Sequence, residues 1–286
     1  MLIWGVGWSS AKVLAGYGDP ILLVAFRFTI SLISLIPVML VLKIPLSISS
    51  KNFFMALLAG VFLTLFNQSF FLGLKNGQAG HGGIVITTIS PLLSYVIDWT
   101  YHKRKPSLQE TTALSIGFIA MLILLKTVNI SDTPFSLSTL EISDLYFLAA
   151  ALSWAILGLI TSKVRNTRHP LTFAFWSFTV PILWFILFTP TNEINNLIQR
   201  GDLLFWGNLF YFSVGAVTFG TSFYFYASTQ IGNSRTAAFQ YIVPLAAGLG
   251  AWIFLNEQIE GHTIVGGSLA VFSAILAMRS KHNARP

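Results

Sequence analysis

Trp4–Thr29 reads WGVGWSSAKVLAGYGDPILLVAFRFT, two apolar runs parted by Gly16–Asp19, each holding one cation: Lys12 in the first, Arg27 in the second. A charge near the centre of a membrane-crossing helix costs roughly 2.5 to 3.5 kcal/mol on insertion scales, so it calls for a partner, a water-filled cavity or a substrate. Composition places these runs in hydrocarbon and not in a soluble core. Of 286 residues, 54% are hydrophobic and only 9% charged, whereas soluble domains carry about 25% charged residues. There is no cysteine, which excludes disulfides and thiolate metal sites. The net charge of +7 is scattered between apolar runs and forms no stripe of the kind nucleic acid requires.

Outward from this stretch the chain resolves into ten apolar segments of about the length a helix needs to cross a bilayer: Met1–Ala15, Pro20–Leu42, Phe53–Leu74, Gly82–Tyr101, Leu108–Val128, Asp144–Val164, Pro170–Thr189, Leu203–Ser228, Thr236–Leu255 and His262–Met278. Their continuous hydrophobicity fits helices and lacks the in-out alternation of barrel strands. The expectation is an all-α integral membrane protein with ten transmembrane helices. An even number of spans puts both termini on one side. With the termini in the cytoplasm, Lys43, Lys51, Lys103, Arg104, Lys105, Lys163, Arg165, Arg168, Arg235, Arg279, Lys281 and Arg285 fall at inner ends or beyond, and only Lys75, Lys126 and Arg200 fall outside. The positive-inside rule therefore predicts a multi-pass protein of a cytoplasmic membrane with cytoplasmic termini.

The stretch has an echo. Pro20–Thr29, PILLVAFRFT, recurs 150 positions later as Pro170–Thr179, PLTFAFWSFT, and Trp4 falls on Trp154 at the same offset. Ser69-Phe70-Phe71 matches Ser222-Phe223-Tyr224, and Pro91 matches Pro244, at an offset of 153. This divides the chain into a first five-helix repeat at 1–128, an external connecting loop at 129–142 and a second repeat at 143–286. Because each repeat has an odd number of spans, the second enters the membrane from the opposite side. Inverted repeats of this kind recur in secondary transporters, where two equivalent bundles expose a midplane site alternately to each side. In the same register Asp144 corresponds to a point before Met1, so a short N-terminal piece of the full first helix is expected to lie outside this sequence.

Trp4-Gly5 followed by Lys12, the Phe26-Arg27-Phe28 of the second segment, the Pro91 and Pro244 helices and Leu255-Asn256-Glu257 together resemble the EamA-type permeases of the drug/metabolite transporter superfamily. The resemblance extends over nearly the whole chain. It implies ten helices in two inverted five-helix repeats around a central cavity, with export or exchange of small metabolites, often amino acids. One departure stands out: Arg104 occupies the first-half position that matches Glu257.

Candidate substrate-binding residues follow from polar groups within apolar segments. Trp4, Trp8 and Lys12 are spaced i, i+4, i+8 and share one helix face. Lys12 lies about a turn from Gly16, close enough to snorkel to the interface, so a substrate role and an interfacial one are both open. Arg27 lies about 12 Å past Asp19 at roughly 1.5 Å per residue, too deep to snorkel readily, which favours a cavity. If both cations face one cavity, a carboxylate or phosphate is the natural ligand, and an amino or organic acid fits better than a cationic drug. Asn67 and Gln68, and Gln240 and Tyr241, can bond a substrate or a neighbouring helix. Tyr224, in the aromatic run Phe223–Tyr226, can pack against helices or stack on a substrate. Pro91 and Pro244 mark a hinge or kink.

Other chemistries lack their residues. The glycine cluster Gly77–Gly83 is without GxxxxGK[ST], and no HExxH or GxSxG is present, so neither a phosphate loop nor an intramembrane hydrolase is expected, and no metal or cofactor. The competing classes are an intramembrane enzyme or a channel on the same scaffold. The expected partners are a small-molecule substrate and the lipid bilayer, with proton coupling left open by the sequence and no nucleic acid.

Overall fold

The computed structural model describes residues 1–102, 107–124, 140–164, 170–188, 192–231, 236, 239, 243–258 and 260–279. Helices occupy each of the ten apolar segments: α1 (Leu2–Ala15), α2 (Pro20–Val41), α3 (Ser50–Asn76), α4 (Ala79–His102), α5 (Leu108–Leu124), α6 (Ile142–Lys163), α7 (Pro170–Phe188), α9 (Leu203–Ile231), α10 (Val243–Leu255) and α11 (Gly261–Arg279). A short amphipathic helix, α8 (Asn192–Arg200), precedes α9. No strand occurs among the described residues.

Six of these helices (α2, α3, α4, α6, α7 and α9) are long and apolar enough to cross a membrane, while α5 and α10 are shorter apolar helices. At about 1.5 Å per residue, the 22 residues of α2 span about 33 Å, the thickness of a bilayer's hydrocarbon. The helix starts carry recognisable caps. Asp19 accepts from Ile21 N–H at 2.8 Å ahead of Pro20, and Asp202 accepts from Phe205 N–H at 2.8 Å. Within α9, Tyr211–Thr221 is wound as a π-helix, a form that recurs at functional sites.

The helices pack in a specific set of pairs: α3 lies against α6 and α7, α4 against α6 and α10, α1 against α10 and the π segment, α2 against α7 and the π segment, and α5 against α11. Small residues set the closest approaches. A Cβ at Gly73 or Gly82 would fall 2.4 Å from the ring of Phe147, so two glycines of α3 and α4 make the slot that Phe147 of α6 fills. Large apolar side chains such as Leu40, Phe54, Leu187, Phe223 and Trp252 remain exposed, as expected of surfaces that face lipid.

One end of the bundle is laced together by polar contacts between turns. Tyr17 donates to Asp202 at 2.8 Å, joining the α1–α2 turn to the start of α9. Hydrogen bonds from Phe205 N–H and from Tyr17 hold the Asp202 carboxyl below the usual range, and the same bond pushes the Tyr17 phenol up. At the opposite end, Trp176 Nε1 donates to the Leu46 carbonyl at 3.0 Å and Thr172 to that of Pro45 at 2.7 Å, docking the α2–α3 connection on α7.

Gly60 tests how tight this packing is. A Cβ there would lie 2.5 Å from Val180 Cγ2 and 2.6 Å from the Ser177 carbonyl oxygen of α7. Gly60→Ala should lower stability by about 1–3 kcal/mol despite better helix propensity. Gly207→Ala, with nothing within 4 Å of its Cβ, should be neutral or raise it by up to about 1 kcal/mol. Thermal melts of the two variants in detergent check both.

Candidate functional site

The centre of the bundle holds a small cavity of about 60 Å³. Its walls come from both ends of the sequence: Trp4 and Trp8 of α1, Phe66 and Phe70 of α3, Trp154 of α6, and Phe212 and Ala216 of the π segment. These rings pack against one another, mostly edge to face or tilted. Trp4 and Trp154 meet edge to face with centroids 5.3 Å apart, Phe66 lies 4.8 Å from Trp154, and Trp8 lies 4.7 Å from Phe70. Trp4 Nε1 donates to the Ala216 carbonyl at 2.7 Å, so the indole that forms the wall is fixed by the π segment it faces.

Few polar groups reach this aromatic chamber. Thr87 and Ser90 of α4 and Thr221 of α9 line it, and each hydroxyl donates to a carbonyl of its own helix, on Gly83, Ile86 and Ala216. The charged lining residue is Arg27, 6% exposed. Its Nη1 donates to Asn67 Oδ1 at 2.5 Å, and its guanidinium carbon sits 3.5 Å from the centroid of Phe212, a cation–π contact. Among the described residues, the buried Arg27 Nε has no hydrogen-bond partner. Among the described residues no carboxylate lies within 4.0 Å of this guanidinium. A buried cation on neutral partners alone is electrostatically incomplete.

A second, polar cavity of about 280 Å³ opens at the end of the bundle that carries the α3–α4 turn. Lys12 Nζ donates to the carbonyls of Leu74 and Gly77, both at 2.6 Å, closing the C-terminus of α3. Across the turn, the Glu257 carboxylate accepts from Ala79 N–H at 3.0 Å and Gly80 N–H at 2.9 Å, closing the N-terminus of α4. Asn256 reaches this position through a left-handed backbone, φ 52°, which asparagine tolerates better than most residues. His81 Nε2 contacts Asp144 Oδ1 at 2.8 Å in the same cavity, joining α4 to α6.

The sequence-derived candidates therefore separate. Trp4, Trp8 and Arg27 meet in the central cavity. Lys12 shares α1 with Trp4 and Trp8 but opens on the polar cavity, so the two cations do not face one chamber. The physical reason is the one that left Lys12 ambiguous: it is within a turn of the helix end, where carbonyls are in reach. Asn67 sits behind Arg27 as its acceptor, Gln68 lines a small gap against Pro181 and Trp184, and Tyr224 packs on Trp4 at 5.5 Å and Trp154 at 5.1 Å. Pro91 lies inside α4 next to the cavity-lining Ser90, and Pro244 is the second residue of α10, next to the cavity-lining Val243. Gln240, Tyr241 and Arg104 lie outside the described residues. Thr87, Ser90, Thr221, Phe66, Phe70 and Phe212 were not anticipated. Trp154 and Phe70 carried a usable signal, their matches to Trp4 and Phe223 in the repeat register.

The model of the EamA-like transporter family matches residues 1–126 and 141–279. An uncharacterized transporter of Bacillus subtilis is 23% identical over 290 residues, covering 100% of this chain and 90% of that protein. An uncharacterized transporter of Archaeoglobus fulgidus is 23% identical over 286 residues, covering 99% and 96% respectively. A WAT1-related protein of Arabidopsis thaliana is 23% identical over 282 residues, covering 96% of this chain and 66% of that protein. A protein crystal structure shares the fold, with a TM-score of 0.66 at 17% identity over 96% of this chain and 93% of the other.

The two cations should respond oppositely to neutralisation. Lys12→Met strands two helix-end carbonyls and should destabilise by about 1–3 kcal/mol. Arg27→Met removes an uncompensated buried charge and should leave stability equal or higher. Melting temperatures of both variants in one detergent decide this, and a large loss for Arg27→Met would assign that residue a purely structural role.

Proposed function

The chain belongs to the EamA-like transporter family, and from that premise we propose that it is a secondary transporter moving small organic anions, amino acids among them, by alternating access, as an exporter or exchanger. It is a multi-pass membrane protein and its substrate is a small molecule. The observation that carries the finer reading is Arg27: the one charged side chain lining the described central cavity, buried, and partnered only by neutral groups. A substrate carboxylate would supply the missing countercharge with a charge-assisted hydrogen bond, while the surrounding indoles and phenyl rings hold its apolar body.

Alternating access draws support from the arrangement of helices. If α1 to α5 form one repeat, and α6, α7, α9, α10 and α11 the other, the observed contacts of α3 with α6 and α7 correspond to those of the π segment of α9 with α1 and α2. The contacts of α4 with α6 correspond likewise to those of α10 with α1. Trp4 and Trp154, matched residues of the two halves, meet at the cavity. The family model also matches in two stretches that divide the chain near the same place. In the orientation favoured by the basic residues, the termini are cytoplasmic and the polar cavity around Lys12 faces outward.

Counterflow of labelled amino acids and organic acids into proteoliposomes tests this reading. Saturable counterflow by the wild type, reduced at least about 100-fold in Arg27→Ala, is the expected result. Transport of neutral or cationic solutes alone, by folded protein, would sink the anion reading. Flux without counterflow would indicate a channel, and product formation without translocation an enzyme.

A further inference from the structure

Arg27 is held by an amide where an acid would fit. Asn67 is 1% exposed, and its Nδ2 donates to the Leu63 carbonyl at 2.7 Å while its Oδ1 accepts from Arg27 at 2.5 Å. The orientation of the amide follows from chemistry: a carbonyl can only accept and a guanidinium can only donate, so Oδ1 must face the arginine. Aspartate is nearly isosteric with asparagine and would accept the same hydrogen bond with a full countercharge. It would give a buried ion pair in place of a buried lone cation, the less costly arrangement of the two. The Nδ2 bond to the Leu63 carbonyl is one that an acid cannot make, and toward Arg27 the amide positions the guanidinium without neutralising it.

We infer that Asn67 is the charge-selectivity determinant of the central cavity: it aims Arg27 at the chamber while leaving the cation's charge for an anionic substrate. The inference rests on the anion reading of the Arg27 site and adds to it the residue that keeps that site cationic. Two roles for Asn67 predict opposite rankings of variants. If it only positions Arg27, Asn67→Asp keeps the acceptor and should act like wild type, whereas Asn67→Leu loses it and should be worse. If it preserves the cation, Asn67→Asp should be the worse variant for anions, because the acid competes with the substrate at close range.

The absence of cysteine from the whole sequence allows a readout that needs no known substrate. Thr87 lines the same cavity as Arg27, so Thr87→Cys places a single thiol there. Its reaction with anionic 2-sulfonatoethyl methanethiosulfonate is compared with that of cationic 2-trimethylammonioethyl methanethiosulfonate, each normalised to a free thiol in solution. The anionic reagent should be favoured with Asn67 and with Asn67→Leu. In Asn67→Asp the ratio should fall at least about tenfold, as expected when a unit charge within one cavity is cancelled.

An unchanged ratio in Asn67→Asp would overturn the inference, even if Arg27→Ala abolishes counterflow and so leaves the transport reading intact. A cavity entered by neither reagent would overturn it as well, since a chamber closed to small ions selects none. Conversely, the expected shift in ratio without any anion counterflow would retain Asn67 as the charge determinant and reject the proposed substrate class. The counterflow ranking, with Asn67→Asp below Asn67→Leu for whichever anion is carried, is the second readout.

Discussion

A helix end cannot leave its backbone groups bare where water is scarce, and the α3–α4 turn is where this constraint is met most tightly. The last carbonyls of α3 carry the negative end of a helix dipole and the first N–H groups of α4 the positive end of another. Lys12 binds the first set through Leu74 and Gly77, and Glu257 binds the second through Ala79 and Gly80. Each charge has the sign that its helix end favours. The two residues come from opposite ends of the sequence, so satisfying one tight turn also ties α1 and the α10–α11 turn to the α3–α4 pair. His81 and Asp144 add a link from α4 to α6 at the same level.

Arg27 is treated in the reverse manner. Its Nε is unpartnered, its one described hydrogen bond goes to an amide and a phenyl ring covers it. The same chain thus contains a fully used cation at the helix ends and an underused one in the interior. Stability arguments explain the first and not the second, because a buried guanidinium without an acid is a cost that packing alone would remove. The proposed anion site would put such a cost at a cavity wall to use.

Hydrophobic continuity made the helices legible: every apolar segment read from the sequence overlaps a described helix, and six of these helices are long and apolar enough to cross a membrane. Arg27 was legible from its distance from Asp19, which favoured a cavity over the interface, and it does line one. Depth was harder to read than position. Lys12 sits on the same face as Trp4 and Trp8, yet its amine finds carbonyls of another helix, information that resides in the packing of α1 on α3 and not in either segment. Thr87 and Ser90 carry no signal, because serine and threonine in apolar helices routinely bond back one turn, as both do here. The π segment is likewise invisible: its geometry appears where α9 meets Trp4 and Arg27, and no proline marks it.

The cavity's charge is asymmetric even though its walls have matched elements. In the proposed repeat register Trp4 is answered by Trp154, and the two rings touch, but Arg27 is answered by Ser177, which is fully buried and bonds the Phe173 carbonyl of its own helix. Two inverted halves can exchange conformations most easily when their scaffolds are alike, and that requirement falls on helix lengths and contacts. Substrate recognition has no such requirement, since a small ligand needs its charge met once. Under the proposed alternating access, a single cation set into a paired aromatic frame would meet both demands: the frame would rock between equivalent arrangements while the arginine, carried on α2 and bonded to Asn67 of α3, stays within the same half.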